Sequence, residues 1–322
     1  MLAPRAKRPK TDWPFFTATD QGPSGEWQAG VDLAYETQAG RTVPSRRRHV
    51  GPLRVLKGYR QSGDDCWEQV LVHPPGGIAG RDRLNIQVQT GQQTRVLMTT
   101  PGATKWYRSA NAERHDQRDG KSIPAQQNVK LSINDESGFE WLPLENIFYS
   151  GTIARLETKI EVAPKAALIA GEVYCLGRPA SQAPFERGRI EMHTRLTRVG
   201  RPVFIERARL DGGSRALFAP AGLNGQPCFG TLIVMPAVSS RNQATDPDPQ
   251  AWLAQLRDTT RHEMSKQMIH GEVGITVLPQ VLVVRWRGPS AEAGWGALRT
   301  AWQVLREPVL GRAVQAPRIW AC

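Results

Sequence analysis

Cysteine is scarce in this chain, and its four copies are scattered at Cys66, Cys175, Cys228 and Cys322. No pair has the short spacing of a metal hairpin, and nothing outlines a disulfide framework. The pattern predicts a reduced, cytoplasmic setting. Long hydrophobic runs are missing too. No stretch of about 18 apolar residues occurs, which excludes a membrane-spanning helix. The N-terminal residues are basic but lack the apolar segment a secretory signal needs before Trp13-Pro14. Several enzyme signatures are absent: there is no Gly-x-Ser-x-Gly elbow, no His-Glu-x-x-His helix and no Gly-Lys-Ser/Thr phosphate loop. His262-Glu263 lacks a second histidine at the required spacing and reads as a surface pair. Gly76-Gly77-Ile78-Ala79-Gly80 is glycine-rich, but Asp82 follows where it would repel phosphate, so the segment reads as a structural corner. No convergent set of nucleophile, base and oxyanion donors is visible.

What is abundant is punctuation and positive charge. Thirty Gly and 24 Pro interrupt short runs of Val, Ile, Thr and Trp, a mainly β signature in a chain of 322 residues that can bury a sizeable core. The net charge is +12, and the first 60 residues hold eleven Lys/Arg against five Asp/Glu. Such a surface attracts acidic proteins, nucleic acid or anionic lipid. Residues 1–26, rich in Pro, Lys and Thr, read as a disordered basic extension. The Arg46-Arg47-Arg48 run suits either loop solubility or docking to an acidic protein.

Strand-like alternation begins near Trp27 and recurs through Val31–Tyr35, Leu53–Leu56, Trp67–Val72 and Leu84–Val88. A polar stretch over 110–127 predicts an inserted loop. Strands resume at Val129–Ile133 and continue to Val203–Ile205. Two segments pair Pro with Gly at the end of an apolar run, His73-Pro74-Pro75-Gly76-Gly77 and Thr99-Thr100-Pro101-Gly102-Ala103. Proline fixes φ and glycine opens φ > 0, so both are expected to be sharp corners. Short strands with such corners predict a wound, β-helix-like stack that hides its edges, although no fixed-length repeat stands out. After Thr231–Met235, helical spacing covers 249–268, with Asp248 as N-cap, Pro249 at the first turn and Gly271 as the stop. A hairpin follows at 275–286, and a second helix carries Leu298, Ala301, Trp302 and Leu305 up to Pro308. The expected organisation is therefore a β scaffold over 27–227 and a strand–helix–strand–strand–helix α/β flank over 228–322, with a connector at 240–249.

Five segments occur in a familiar order: His73–Asp82, Thr99–Ser109, Phe139–Phe148, Cys175-Leu176-Gly177-Arg178-Pro179 and Pro317-Arg318-Ile319-Trp320. Together they resemble the urease accessory protein UreD family, called UreH in some bacteria, from about Trp27 onward. The resemblance implies a mostly β, wound fold with two helices. It implies a scaffold that joins UreF and the GTPase UreG, binds apo-urease subunits and assists nickel insertion at the carbamylated lysine. It implies no NTPase activity of its own and no tightly bound cofactor, only transient Ni2+. Departures from the family pattern fall at Arg81, Leu144, Asn146, Ser150 and Gln182-Ala183, which leaves ligand assignment near 182 unsupported.

Four residues are candidates for a transient nickel passage: Glu172, Glu206, His73 and Asp82. Glu172 and Glu206 each interrupt an apolar strand, where an unpartnered carboxylate costs several kcal/mol or takes up a proton. Either arginines such as Arg178 and Arg207 pair with them, or they line a wet internal passage; the family has acidic residues at these positions. His73 stands beside the Pro-Pro-Gly-Gly corner, and Asp82 suits capping that corner equally well. Imidazole and carboxylate both suit Ni2+. Trp106, Tyr107, Trp141 and Phe148 read as core, and Trp320 as an anchor for the tail. Two other classes compete with the scaffold: a basic nucleic-acid-binding module, disfavoured because no such motif appears, and a metallohydrolase.

Overall fold

The computed structural model describes residues 28–60, 63–109, 123–238 and 248–321. The basic extension at 1–26, most of the loop expected at 110–127 and most of the connector expected at 240–249 lie outside the described residues.

Strands β1 (Gln28–Gln38) and β2 (Arg41–Val50) form a hairpin, and the short β3 (Arg54–Val55) and β4 (Tyr59–Arg60) pair with β5 (Trp67–Val72). From β5 the chain winds between two layers. It visits β6 (Arg83–Thr90), β7 (Arg95–Thr99), β8 (Thr104–Trp106), β9 (Ala125–Ile133), β10 (Gly138–Leu142), β11 (Asn146–Phe148), β12 (Thr152–Val162), β13 (Ala167–Leu176) and β14 (Gly188–Arg198). Strands β6, β9, β12 and β14 stack in parallel in the first sheet. Strands β5, β7, β10 and β13 stack in parallel in the second. β8 and β11 make a small third face beside the end of β13. An antiparallel strand, β15 (Arg201–Asp211), ends the first sheet next to β14.

The register explains why no repeat was visible in the sequence. Trp67 pairs with Val96 and Phe139 with Leu168, each 29 positions on, whereas Val96 pairs with Phe139, 43 positions on. The step varies from turn to turn: the turn that passes β8 and β9 carries surplus residues, and β12 pairs with β14 at 36 positions on, as Thr152 with Gly188. Inward-facing Leu84, Ile86, Val88, Val129, Leu131, Ile160 and Leu168 fill the space between the sheets, as the period of two requires.

A short helix, α1 (Arg215–Phe218), precedes β16 (Cys228–Met235), which continues the second sheet antiparallel to β13. Then come α2 (Pro249–Ser265), β17 (Glu272–Leu278), β18 (Val281–Gly288) and α3 (Ala291–Leu310). The helices pack on the outer face of the second sheet. Leu298, Ala301, Trp302 and Leu305 of α3 are all essentially fully buried there, against Val173, Leu232 and Val284. Each such large apolar side chain contributes roughly 1.5–3 kcal/mol by leaving water. Asp248 caps α2, its side chain accepting from the Gln250 N–H at 3.2 Å.

Several local expectations are corrected. α1 is a third helix beyond the two expected. α2 stops at Ser265 rather than at Gly271, because Lys266 N–H already bonds back to Glu263; Gly271 instead lets the chain pass the Trp286 ring, which a Cβ would meet at 2.6 Å. Pro308 lies inside α3, and Gly311 ends the helix at φ +65°, its N–H reaching Glu307 O at 2.8 Å. A proline near the end of a helix leaves only one interior carbonyl without its usual donor, so the last turn survives. Gly76 adopts φ +80° as its corner requires, but Gly102 does not reach positive φ. The second corner is held instead by Thr100 Oγ1, which donates to Gly102 O and accepts from Leu144 N–H.

The C-terminal tail is tied to β10 by a buried ionic cluster. Glu140 is fully buried and accepts hydrogen bonds from Trp302 Nε1 at 2.7 Å, Arg306 Nε at 3.0 Å and Arg312 Nη1 at 3.0 Å. Asp64 completes the cluster, accepting from Arg312 Nη2 at 2.5 Å. Trp320 is the tail's anchor: its Nε1 donates to Thr99 Oγ1 at 2.9 Å, and its ring meets Trp295 and Trp302.

Candidate functional site

Alternation along β13 puts Glu172 and Tyr174 on the face that looks between the two sheets, opposite Val173 and Cys175, which face the helices. Glu172 thus enters an apolar interior from a half-buried position. Its Oε1 accepts from Trp141 Nε1 on β10 at 2.8 Å, and its Oε2 accepts a short bond from Tyr174 O–H. Burial pushes the Glu172 carboxyl above its ordinary value, against the lowering effect of these two donors. The same burial, with the neighbouring carboxylates, keeps Tyr174 protonated well above its usual range.

The two partners of Glu172 line two separate cavities. One, of about 380 Å3, lies between β15 and the β16–β18 region and is lined by Tyr174, Thr194, Glu206, Phe229, Thr231 and Arg285. The other, of about 140 Å3, is lined by His73, Thr104, Lys105, Gln127, Trp141 and Asn146. Trp141 lines one cavity and Tyr174 the other, and Glu172 bonds to both. Glu172 itself lines neither cavity.

Glu206 projects inward from β15 into the larger cavity. Arg285 grips a single oxygen, Oε1, through Nε at 3.2 Å and Nη2 at 2.7 Å, so Oε2 has no hydrogen-bond partner among the described residues. His73 stands in the wall of the smaller cavity. Its buried Nε2 has no hydrogen-bond partner among the described residues. Burial lowers the His73 pKa, with nearby Asp82 opposing, which favours the neutral imidazole that a metal needs. Asp82 itself is buried in the corner, its Oδ2 accepting from Ala79 N–H at 2.9 Å, as a turn cap does.

The four candidates do not converge. Among the described residues no group of three or more His, Cys, Asp or Glu side chains is arranged to hold a metal ion. Glu172 and Glu206 flank Tyr174, while His73 lines the other cavity and Asp82 lines neither. The arginines considered as partners are elsewhere: Arg178 lies over the Tyr149 ring and Arg207 reaches His193. The sequence reading missed Trp141 and Tyr174 as holders of Glu172. Tyr174 was open to it, since residues two apart on a strand share a face. Of the residues read as core, Trp106, Trp141 and Phe148 are buried, and Tyr107 is half-buried.

A family model described as UreD urease accessory protein matches residues 28–321. The chain belongs to the UreD family. Among curated UreD relatives, that of Azoarcus sp. (strain BH72) is 38% identical over 294 residues, covering 91% of this chain and 94% of the relative. The relative from Nitrosococcus oceani is 39% identical, with 91% and 90% covered. That of Dechloromonas aromatica (strain RCB) is 34% identical, with 92% and 95% covered. All three are named urease accessory protein UreD.

The segments that carried the UreD resemblance are chiefly corners whose backbone admits little else. Gly77 lies under the Tyr107 ring, which a Cβ would meet at 2.0 Å. Gly177 turns the chain at φ +78°, where a Cβ would meet Ala183 O at 2.4 Å, and Arg178 and Ala183 close the loop with paired backbone bonds. The motif at Phe139–Phe148 contributes Glu140 to the tail cluster and Trp141 to the wall of the smaller cavity, where it donates to Glu172. In this UreD-family chain, then, one motif serves both the fold and the candidate site. No helix among the described residues is long and apolar enough to cross a membrane.

Proposed function

We propose that this chain is a urease maturation factor, a scaffold that binds apo-urease together with UreF and UreG and passes Ni2+ through its interior toward the urease active site. Membership of the UreD family supports the urease connection. The observation that supports the nickel route is Glu172 bonded both to Trp141, in the wall of the cavity bearing the unpartnered Nε2 of His73, and to Tyr174, in the wall of the cavity bearing the open Oε2 of Glu206. In this reading Ni2+ is cargo. It meets one or two hard or borderline ligands at each stage and never a closed set, which suits release as much as capture. Between the two cavities the Glu172 carboxyl offers Ni2+ an oxygen ligand. The reading gives the chain no bond-breaking role, and assigns GTP hydrolysis to UreG.

The test is co-expression with apo-urease, UreF and UreG, followed by purification and metal analysis of the urease. Glu172→Gln preserves the shape and an acceptor for Trp141 while removing the ionisable carboxyl. Glu206→Leu removes the open oxygen. Both variants are expected to stay in the complex while urease nickel falls by at least about tenfold, a change of about 1.4 kcal/mol in effective transfer free energy. Wild-type nickel content in both variants would remove the interior route.

A further inference from the structure

The outer face of the first sheet poses a physical problem. Strands β1, β6, β9, β12 and β14 run parallel, and parallel sheets are ordinarily covered on both faces. Here the inner face meets the second sheet, while among the described residues no helix packs on the outer one. That face is polar, with Asn128 Nδ2 donating to Asn85 Oδ1 across neighbouring strands at 2.9 Å. It also holds an unfavourable arrangement. Lys130 on β9 lies in register with Lys159 on β12, which lies in register with Arg195 on β14. Like charges directly opposite each other on adjacent strands, about 4.8 Å apart, destabilise a sheet. Glu157 answers Lys159 at 2.7 Å, but Lys130 and Arg195 make no ion pair or hydrogen bond among the described residues. The next residue in the same row, Ile205 on β15, is a large apolar side chain left 49% exposed.

A row of cations ending in an exposed isoleucine has the make-up of a protein interface, with an apolar anchor beside charges that await partners. We propose that the row Lys130–Lys159–Arg195–Ile205 docks an acidic protein surface, whose carboxylates meet the three cations and whose apolar residue covers Ile205. This inference rests on the reading of the chain as a scaffold. A protein partner fits better than nucleic acid because Glu157, Glu191 and Asp211 share the face, each paired with a cation. A continuous phosphate backbone would meet repulsion at each of them, while a protein surface can match both signs.

The experiment uses the full chain purified with apo-urease, UreF and UreG. Carbodiimide, which joins amines directly to carboxylates, is expected to link Lys130 or Lys159 to aspartates or glutamates of one partner. The Lys130→Glu/Arg195→Glu variant is expected to bind that partner at least about tenfold more weakly at low salt, with the gap narrowing as salt rises. Its own thermal stability should rise or hold, since the change breaks up the like-charge row. Ile205→Ser should weaken binding with no change in salt dependence. A complex that forms with wild-type affinity in both variants overturns the docking face and leaves the scaffold reading intact. Failure of the wild-type chain to bind any of the three proteins removes the scaffold reading and the docking face with it. Loss of binding confined to a plain DNA duplex or to phosphatidylserine vesicles would also overturn it, in favour of those surfaces.

Discussion

Glu140→Leu tests the idea that a buried ionic cluster fastens the C-terminal helix and tail to the β body. The wild-type carboxylate is fully buried, beside Arg306 and Arg312 at 1% and 8% exposure. Removing it strips Arg306 of contacts at 3.0, 3.1 and 3.3 Å, Arg312 of one at 3.0 Å and Trp302 of one at 2.7 Å. Asp64 remains, 3.5 Å from Arg306 and 2.5 Å from Arg312, so neither guanidinium is wholly abandoned. Breaking a buried pair from one side costs about 3–5 kcal/mol, and with Asp64 still present the lower end, about 3 kcal/mol, is the expected loss. Urea unfolding followed by tryptophan fluorescence reads this directly, as Trp302 is part of the cluster. The decisive comparison is the double variant Glu140→Leu/Arg306→Met. Removing both partners leaves less buried charge, so the double variant should be more stable than Glu140→Leu alone by at least about 1 kcal/mol. If the two substitutions simply add, or if Glu140→Leu costs under about 1 kcal/mol, the cluster does not hold the tail and the reasoning fails.

Two further outcomes follow from the same structure. Because burial raises the Glu172 pKa in the folded chain, the native state holds this proton more tightly than the unfolded state, and stability from this group falls as pH rises from about 4.3 through the raised folded value. Glu172→Gln should abolish that loss, so its stability relative to wild type should increase with pH across that window; a pH-independent difference in urea midpoint would refute the assignment. Gly188 sits at φ +109°, and a Cβ there would lie 2.2 Å from Thr152 O at the start of the β12–β14 pairing. Gly188→Ala should therefore destabilise by at least about 2 kcal/mol, read as a drop in melting temperature, and an unchanged melting temperature would show that the backbone yields there.

How much of this could be seen in the sequence depends on how far apart the cooperating residues lie. Element types in the C-terminal third were legible because amphipathic spacing and the Asp248-Pro249 start act within one or two turns of helix. The helix ends were misjudged because Ser265 and Gly311 stop their helices through local backbone bonds that compete with the more conspicuous Gly271 and Pro308. Winding was legible from Pro/Gly corners, but no repeat was, because the step between successive parallel strands changes from 29 to 36 to 43 residues. For the site, Glu172 announced itself by interrupting an apolar strand, and no local pattern could supply its donor 31 positions away at Trp141. Glu206 meets Arg285 from 79 positions away, and Glu140, flanked by Phe139 and Trp141 as if it were ordinary core, meets Arg306 from 166. A charge inside an apolar strand therefore signals that a partner exists, while its identity is set by winding and register. This also separates the two kinds of acid found here. Glu140 is surrounded by permanent cations and fixed in place, whereas Glu172 is held only by neutral donors.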